Sequence, residues 1–163
     1  MEAWETDIPS LPHVTDFQGD LHSNTVDVFA ALSSLRVLEL VVSDLSTAQA
    51  RAALSAWTGL TTLSAPDAGL TDTGPLAPLS LLTDVDLDSN QIQDISSLSA
   101  LANLRSLDLS RNQVTDLAPL VANVSLGYGT GIAIESNPID CTAQAQNLAT
   151  LRARGVTLTT DCP

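Results

Sequence analysis

Apolar and polar residues alternate in two rhythms along this chain. From Leu82, the stretch LTDVDLDSN places Val85 and Leu87 between Asp84, Asp86 and Asp88. A period of two is a strand's rhythm, with the apolar side chains on one face and the three aspartates on the other. STAQARAALSAWTGL, from Ser46, has a helical rhythm instead. Ser46 and Gln49 are spaced as a capping box, and Gly59 stands where a helix stops. NTVDVFAALSSL, from Asn24, predicts another helix. Near the end a helix is predicted from about Thr142, stopped by Gly155 with Arg152 and Arg154 in its last turn, followed by an alternating strand in VTLTT.

The strand rhythm recurs. LTDVDLDSNQIQDISSLSALAN aligns with LRSLDLSRNQVTDLAPLVANVS at an offset of 22, matching Leu82 to Leu104, Val85 to Leu107, Leu87 to Leu109 and Asn90 to Asn112. Earlier units begin at Leu60 and Leu35, a later one surrounds Ile132, and a weaker one begins at Leu11 with Val14 and Leu21. One unit cannot bury its own leucines, whereas a stack of units makes a continuous core beside a parallel strand ladder. Asn90, Asn112 and Asn137 follow the strands, where a side-chain amide can satisfy backbone groups left unpaired as the chain turns. Ala68 and Ser43 interrupt that row, so the N-terminal half should be less regular. Asp72, Asp94 and Asp116 recur as turn or cap carboxylates, the 22-residue units leave room only for short turns or 3₁₀ segments, and GYGTG from Gly127 reads as a loop inserted between units.

The pattern L-x-x-L-x-L-x-x-N-x-L resembles that of leucine-rich repeat proteins. The 22-residue units carrying DISSL and DLAPL are similar to the bacterial internalin-type subclass. The resemblance covers residues 35 to 140, with the first 34 only loosely in pattern. It implies an α/β fold: a right-handed solenoid of five or six strands, with parallel strands on the concave face and helices and 3₁₀ turns on the convex face. One continuous domain would divide into an N-terminal cap with a first irregular repeat (1–34), repeats (35–139) and a C-terminal helix–strand cap (140–163). The tail resembles the caps of secreted bacterial leucine-rich proteins, which implies a Cys141–Cys162 disulfide worth roughly 3 kcal/mol. Two reduced, packed cysteines in a cytosolic protein are the alternative.

In this motif the residues between the leucines point out of the concave face. The expected binding face is Val37, Glu39, Val41, Ser64, Asp84, Asp86, Asp88, Asp108, Arg111 and Glu135, with Ser106 and Ser110 beside Asp108. Asp86 and Asp108 should be neighbours across adjacent strands, about 4.8 Å apart. Like charges so placed cost a few tenths to about one kcal/mol, so these carboxylates are expected to serve a partner rather than stability. A basic protein or peptide is one reading of that face and a solvated, salt-tolerant surface is another. The third is a calcium ion between Asp84, Asp86 and Asp108, although calcium takes six to eight oxygens and flat strands supply few that converge.

Composition narrows the choice. The 163 residues carry a net charge of −13; all six basic residues are arginine, and fifteen of the nineteen acids are aspartate. No basic cluster exists for nucleic acid or an anionic membrane surface, and no apolar run is long enough for a membrane span. MEAWETDIPS lacks the basic and apolar regions of a signal peptide, which leaves either a cytosolic chain or a mature form without its leader. His13 and His22 fall in the weak first unit, and Asp20, His22 and Ser23 lie too close along an extended chain to converge as a triad. GYGTG lacks the lysine and helix of a phosphate loop, and the strand aspartates have no pocket to raise one pKa as a glycosidase needs. The expectation is a non-catalytic protein-binding module without cofactor or metal, extracellular or at the cell surface. Its alternatives are a passive spacer of a bacterial surface or secreted protein, or a cytoplasmic regulatory subunit of an enzyme. Its oligomeric state is open.

Overall fold

The computed structural model describes residues 15–19, 34–40 and 44–163. Val41, Ser43, Leu11, Val14, Leu21, Asp20, Ser23, both histidines and the helix expected from Asn24 lie outside them. Seven short strands form one parallel sheet in chain order: β1 (Asp16–Gly19), β2 (Val37–Leu40), β3 (Thr62–Ser64), β4 (Asp84–Asp86), β5 (Ser106–Asp108), β6 (Gly131–Ala133) and β7 (Thr157–Thr159). Parallel neighbours need a crossover. The convex side supplies it with α1 (Ala48–Ala56), 3₁₀ turns at Gly74–Leu76 and Ser96–Ala100, α2 (Ala118–Ala122) and α3 (Ala145–Ala153).

The register holds one repeat against the next. Leu38, Leu63, Val85, Leu107, Ile132 and Leu158 stand side by side along the sheet. All but Leu158 are buried, and they join the convex-side Leu76, Leu98 and Leu120 in a single core. The sheet exceeds the expected five or six strands because both ends contribute one. In the first, Phe17 pairs with Leu38, so the register of that unit is shifted from one beginning at Leu11 and Val14.

The asparagine row is the main polar device of the interior. Asn112 donates to the carbonyls of Leu109 (3.0 Å) and Ser110 (3.1 Å) in its own unit and of Leu87 (2.9 Å) in the preceding one, and accepts the Ile92 N–H at 2.9 Å. Asn90 and Asn137 repeat this arrangement. At Ala68 the missing amide is replaced by neighbours: its N–H goes to Asn90 Oδ1 and its carbonyl accepts the Leu45 N–H. The residues just before this row, Asp67, Ser89, Arg111 and Ser136, all have φ between 50° and 58°. That left-handed step turns the chain off the strand without a glycine. Asp72, Asp94 and Asp116 each accept the N–H two residues on, as do Asp44 and Asp140, and so act as turn carboxylates.

Several boundaries differ from expectation. Helix α1 is capped by Thr47, whose hydroxyl accepts the Ala50 N–H at 3.2 Å, rather than by Ser46, whose N–H is engaged by Asp44. Gly59 does not stop the helix; a Cβ there would collide with the Arg36 guanidinium. Helix α2 is α rather than 3₁₀, because 25 residues separate Leu107 from Ile132 and the extra length admits a full turn. Helix α3 starts at Ala145, since Asp140 holds Thr142 and Ala143 in a turn. It ends as expected at Gly155 (φ 86°), with Gly155 N–H bonded to Arg152 O and Val156 N–H to Leu151 O. The arginines of its end do more than complement a dipole. Arg152 holds the Cys162 and Pro163 carbonyls, and Arg154 reaches the Val121 and Asn123 carbonyls behind α2. Cys141 and Cys162 form a disulfide.

Two predictions follow from these contacts. Asn112→Ala should lower the unfolding free energy by roughly 2–4 kcal/mol in a denaturant titration, because buried backbone groups of two units lose partners together; a loss below about 0.5 kcal/mol would contradict that role. Asp72 provides a pH test. Partial burial disfavours its charge, but hydrogen bonds from Arg51 (2.6 and 2.7 Å) and the Gly74 N–H, with the Arg51 charge, outweigh it and hold its pKa below the ordinary value. A carboxyl depressed in the folded state stabilises above its unfolded pKa, and that contribution is lost as pH falls through the folded one. The stability advantage of wild type over Asp72→Asn should therefore be present at neutral pH and shrink below about pH 4. A difference constant from pH 7 to 3 would refute it.

Candidate functional site

The concave face is built by alternation: with Leu63, Val85 and Leu107 buried, their flanking residues have no choice but to face out. Two outward rows run across the strands. One is Val37, Thr62, Asp84, Ser106, Gly131 and Thr157; the other is Glu39, Ser64, Asp86, Asp108, Ala133 and Thr159. Asp86 and Asp108 are thus cross-strand neighbours, as the repeat implied. Around them Thr62, Ser64, Asp84 and Ser106 line a shallow depression of about 320 Å³.

The carboxylates are not alike. Asp86 Oδ1 accepts the Asp88 N–H (3.1 Å) and its Oδ2 the Ser64 hydroxyl (3.1 Å), while Asp108 Oδ1 accepts the Ser110 N–H (2.8 Å). Both therefore close the chain's turn away from the strand, and that structural role by itself gives a reason for aspartate there. Asp84 is exposed and accepts the Thr83 hydroxyl at 2.6 Å. Asp88 lies beyond β4 in the turn, half-buried and paired with Arg111 and the Ser89 hydroxyl. Its Oδ1 is buried with no hydrogen-bond partner. The uncompensated acids are consequently Asp84, Asp86 and Asp108, not a set of four. Ser110, expected on the face, is buried.

The outlying positions are less concentrated. Val37 and Glu39 are half-buried on β2, where Glu39 accepts the Gln18 amide at 2.5 Å. Glu135 sits in the turn after β6, and Val41 lies outside the described residues. Among the described residues no group of three or more His, Cys, Asp or Glu is placed to hold a metal ion. The sequence reading overlooked Asn123. It is buried on the convex side and donates to the Leu98 and Leu101 carbonyls at 2.8 and 2.9 Å. It falls outside the 22-residue pattern, so periodicity could not flag it.

Stacked parallel strands, inward leucines and a row of bridging asparagines define a leucine-rich repeat protein. The family model for leucine rich repeats (2 copies) matches residues 80–122. Among solved structures the chain is similar to internalin C2 of Listeria monocytogenes at 27% identity and a TM-score of 0.64, over 82% of this chain and 64% of that one. It is also similar to an internalin (inlF) of the same organism, at 19% identity and a TM-score of 0.50, over 83% of this chain and 50% of that one. A chain of the Drosophila Toll–Spatzle complex shares the fold at 18% identity and a TM-score of 0.54, over 91% of this chain and 26% of that one. The chain thus spans less than two thirds of each. No curated protein sequence matches it. The chain thus has a leucine-rich repeat fold similar to that of the internalins. Proteins of this class generally mediate protein–protein interaction and are typically non-enzymatic.

The geometry at Asp86 yields a stability test. Asp86→Asn keeps an oxygen for the Asp88 N–H and an amide for the Ser64 hydroxyl, while removing one of two facing charges. It should gain a few tenths to about one kcal/mol at low salt, a gain that shrinks as salt screens the pair. Asp86→Ala loses both bonds and should be destabilised by about 1 kcal/mol. Equal stability of wild type and Asp86→Asn at every salt concentration would show that the charges do not repel.

Proposed function

We propose that this chain is a non-catalytic binding module whose concave face takes a basic segment of a protein or peptide. The observation that carries the reading is the in-register pair Asp86 and Asp108 at the floor of the central depression. Each is oriented by a backbone N–H of its own turn. Carboxylates held in place before a partner arrives lose little side-chain entropy when they bind, and a guanidinium or ammonium matches them in charge and donors. Asp84 and Ser64 extend the contact at the centre. Val37, Glu39, Val41, Asp88, Arg111 and Glu135 form its periphery. A net charge of −13 adds long-range attraction for a basic partner.

The same proposal covers the chain's organisation and place: an N-terminal cap over residues 1–34, repeats over 35–139 and a C-terminal cap over 140–163, in one domain that works outside the cell. The Cys141–Cys162 disulfide supports that location, since such bonds persist in oxidising compartments. It counts against the cytoplasmic regulatory subunit.

The test is titration of the protein with an arginine-rich peptide and with its uncharged counterpart, at low and high salt. Only the basic peptide should bind, and its affinity should fall with salt. An Asp86→Asn, Asp108→Asn double variant should slow association more than it speeds dissociation. Binding indifferent to both salt and the substitutions would leave the face a passive, solvated surface.

A further inference from the structure

Away from the concave face, the edge where the chain climbs from the convex side into the strands has an unusual surface. The large apolar side chains exposed among the described residues are Leu81, Val124 and Tyr128, the last 99% exposed. Leu81, Asn103 and Tyr128 occupy one repeat position, three residues before β4, β5 and β6 respectively. Asn103 ties its row to the previous one through a 2.8 Å bond to the Ser80 carbonyl. Next to these rows is a depression of about 250 Å³ whose polar lining is Thr83, Asn103, Arg105, Ser125, Tyr128 and Thr130. Val124 adjoins Ser125.

The charge of this depression is the reverse of the protein's. Among the described residues no carboxylate lines it, in a chain with nineteen acids, and the nearest, Asp84, is engaged by the Thr83 hydroxyl. Arg36, Arg51, Arg111, Arg152 and Arg154 each give their guanidinium to a carboxylate or carbonyl. Arg105 is exposed and, among the described residues, its guanidinium has neither a hydrogen bond nor an ion pair. A free guanidinium in an acid-free recess has open the planar donor fork that fits a carboxylate. Tyr128 adds contact area with few rotatable bonds. It is flanked by Gly127 and by Gly129 (φ 86°), in a tight loop closed by the Thr130 N–H on the Gly127 carbonyl, which leaves the ring outside.

We infer that this edge is a second interaction site, which takes a protein segment presenting a carboxylate beside an apolar side chain. The carboxylate bonds to Arg105 in the recess and the apolar neighbour packs on Tyr128 and Val124. The net charge of the chain repels acidic proteins at long range, but beyond about 10 Å that field is screened at 0.1 M salt. A locally acidic segment therefore suffices, its carboxylate being that of an aspartate or glutamate side chain. The site does not rest on the concave face.

The experiment is an NMR titration of the full chain with three synthetic peptides: acetyl-Leu-Glu-Leu-amide, acetyl-Leu-Gln-Leu-amide, and acetyl-Leu-Gln-Leu with a free C-terminal carboxylate. Binding of the glutamate peptide should shift the Arg105 Nε–H and the amides from Ser125 to Thr130. A free-carboxylate peptide that binds while the glutamate peptide does not would overturn the assignment to a side-chain carboxylate. The amide-blocked glutamine peptide should bind about tenfold more weakly, as should the glutamate peptide to Arg105→Gln, while Tyr128→Ala should weaken it severalfold and Asp86→Asn should leave it unchanged. The proposal is overturned if all three peptides bind alike, if none shifts these resonances, if Arg105→Gln binds as wild type does, or if Asp86→Asn abolishes the effect.

Discussion

A coil of some 22 residues has no interior of its own. Its leucines leave water only when the coils before and after cover them, so each must repeat its neighbour's register. Leu38, Leu63, Val85, Leu107 and Ile132 meet that condition at the same level of the sheet. A one-residue slip would bring Asp84 or Asp86 into the core in place of Val85. The asparagine row secures the register from the polar side. Asn112 bonds to carbonyls of two units at once, so neither unit can shift without breaking bonds in both.

Stacking leaves two ends with nothing to cover them, and the C-terminal end shows how that is managed. Helix α3 lays Leu148 and Leu151 on the last repeat, and β7 pairs with β6. The disulfide and Arg152 hold the chain terminus against this cap, while Arg154 ties it to the Val121 and Asn123 carbonyls at the end of α2. The polar contacts here are mostly arginine to carbonyl, which are insensitive to the protonation of carboxylates. The Arg51–Asp72 pair, by contrast, joins α1 to the following turn through an acid that titrates.

With the leucines committed to the core and the asparagines to the backbone, the remaining strand positions are free to vary. That freedom is what a binding face requires. On the concave side those positions hold aspartates fixed by the turns they help to form, so the carboxylates of the proposed binding face also have a structural role. On the ascending edge they hold a free arginine and an exposed tyrosine. The two surfaces are opposite in charge and adjoin where Thr83 meets Asp84, and each is laid out by the same repeat.

Much of this was legible in the sequence. Residues 22 apart that share chemistry, such as Val85 and Leu107 or Asn90 and Asn112, must share an environment in a stack, so the strands, the inward leucines, the asparagine row and the adjacency of Asp86 and Asp108 all followed from spacing. The turn roles of Asp72, Asp94 and Asp116 followed in the same way. Features that occur once did not. Asn123 lies in the longer unit, off the period. The cap of α1 fell to Thr47 because Asp44 had taken Ser46. Asp88 was removed from the acidic set by Arg111, one repeat later. Gly59 lies against the guanidinium of Arg36, from the preceding unit, and Arg105 is distinguished only by the partner it lacks. Periodicity reports which environment a position shares with its equivalents. Who bonds to whom within that environment depends on side chains reaching between coils, and only the tertiary structure brings those together.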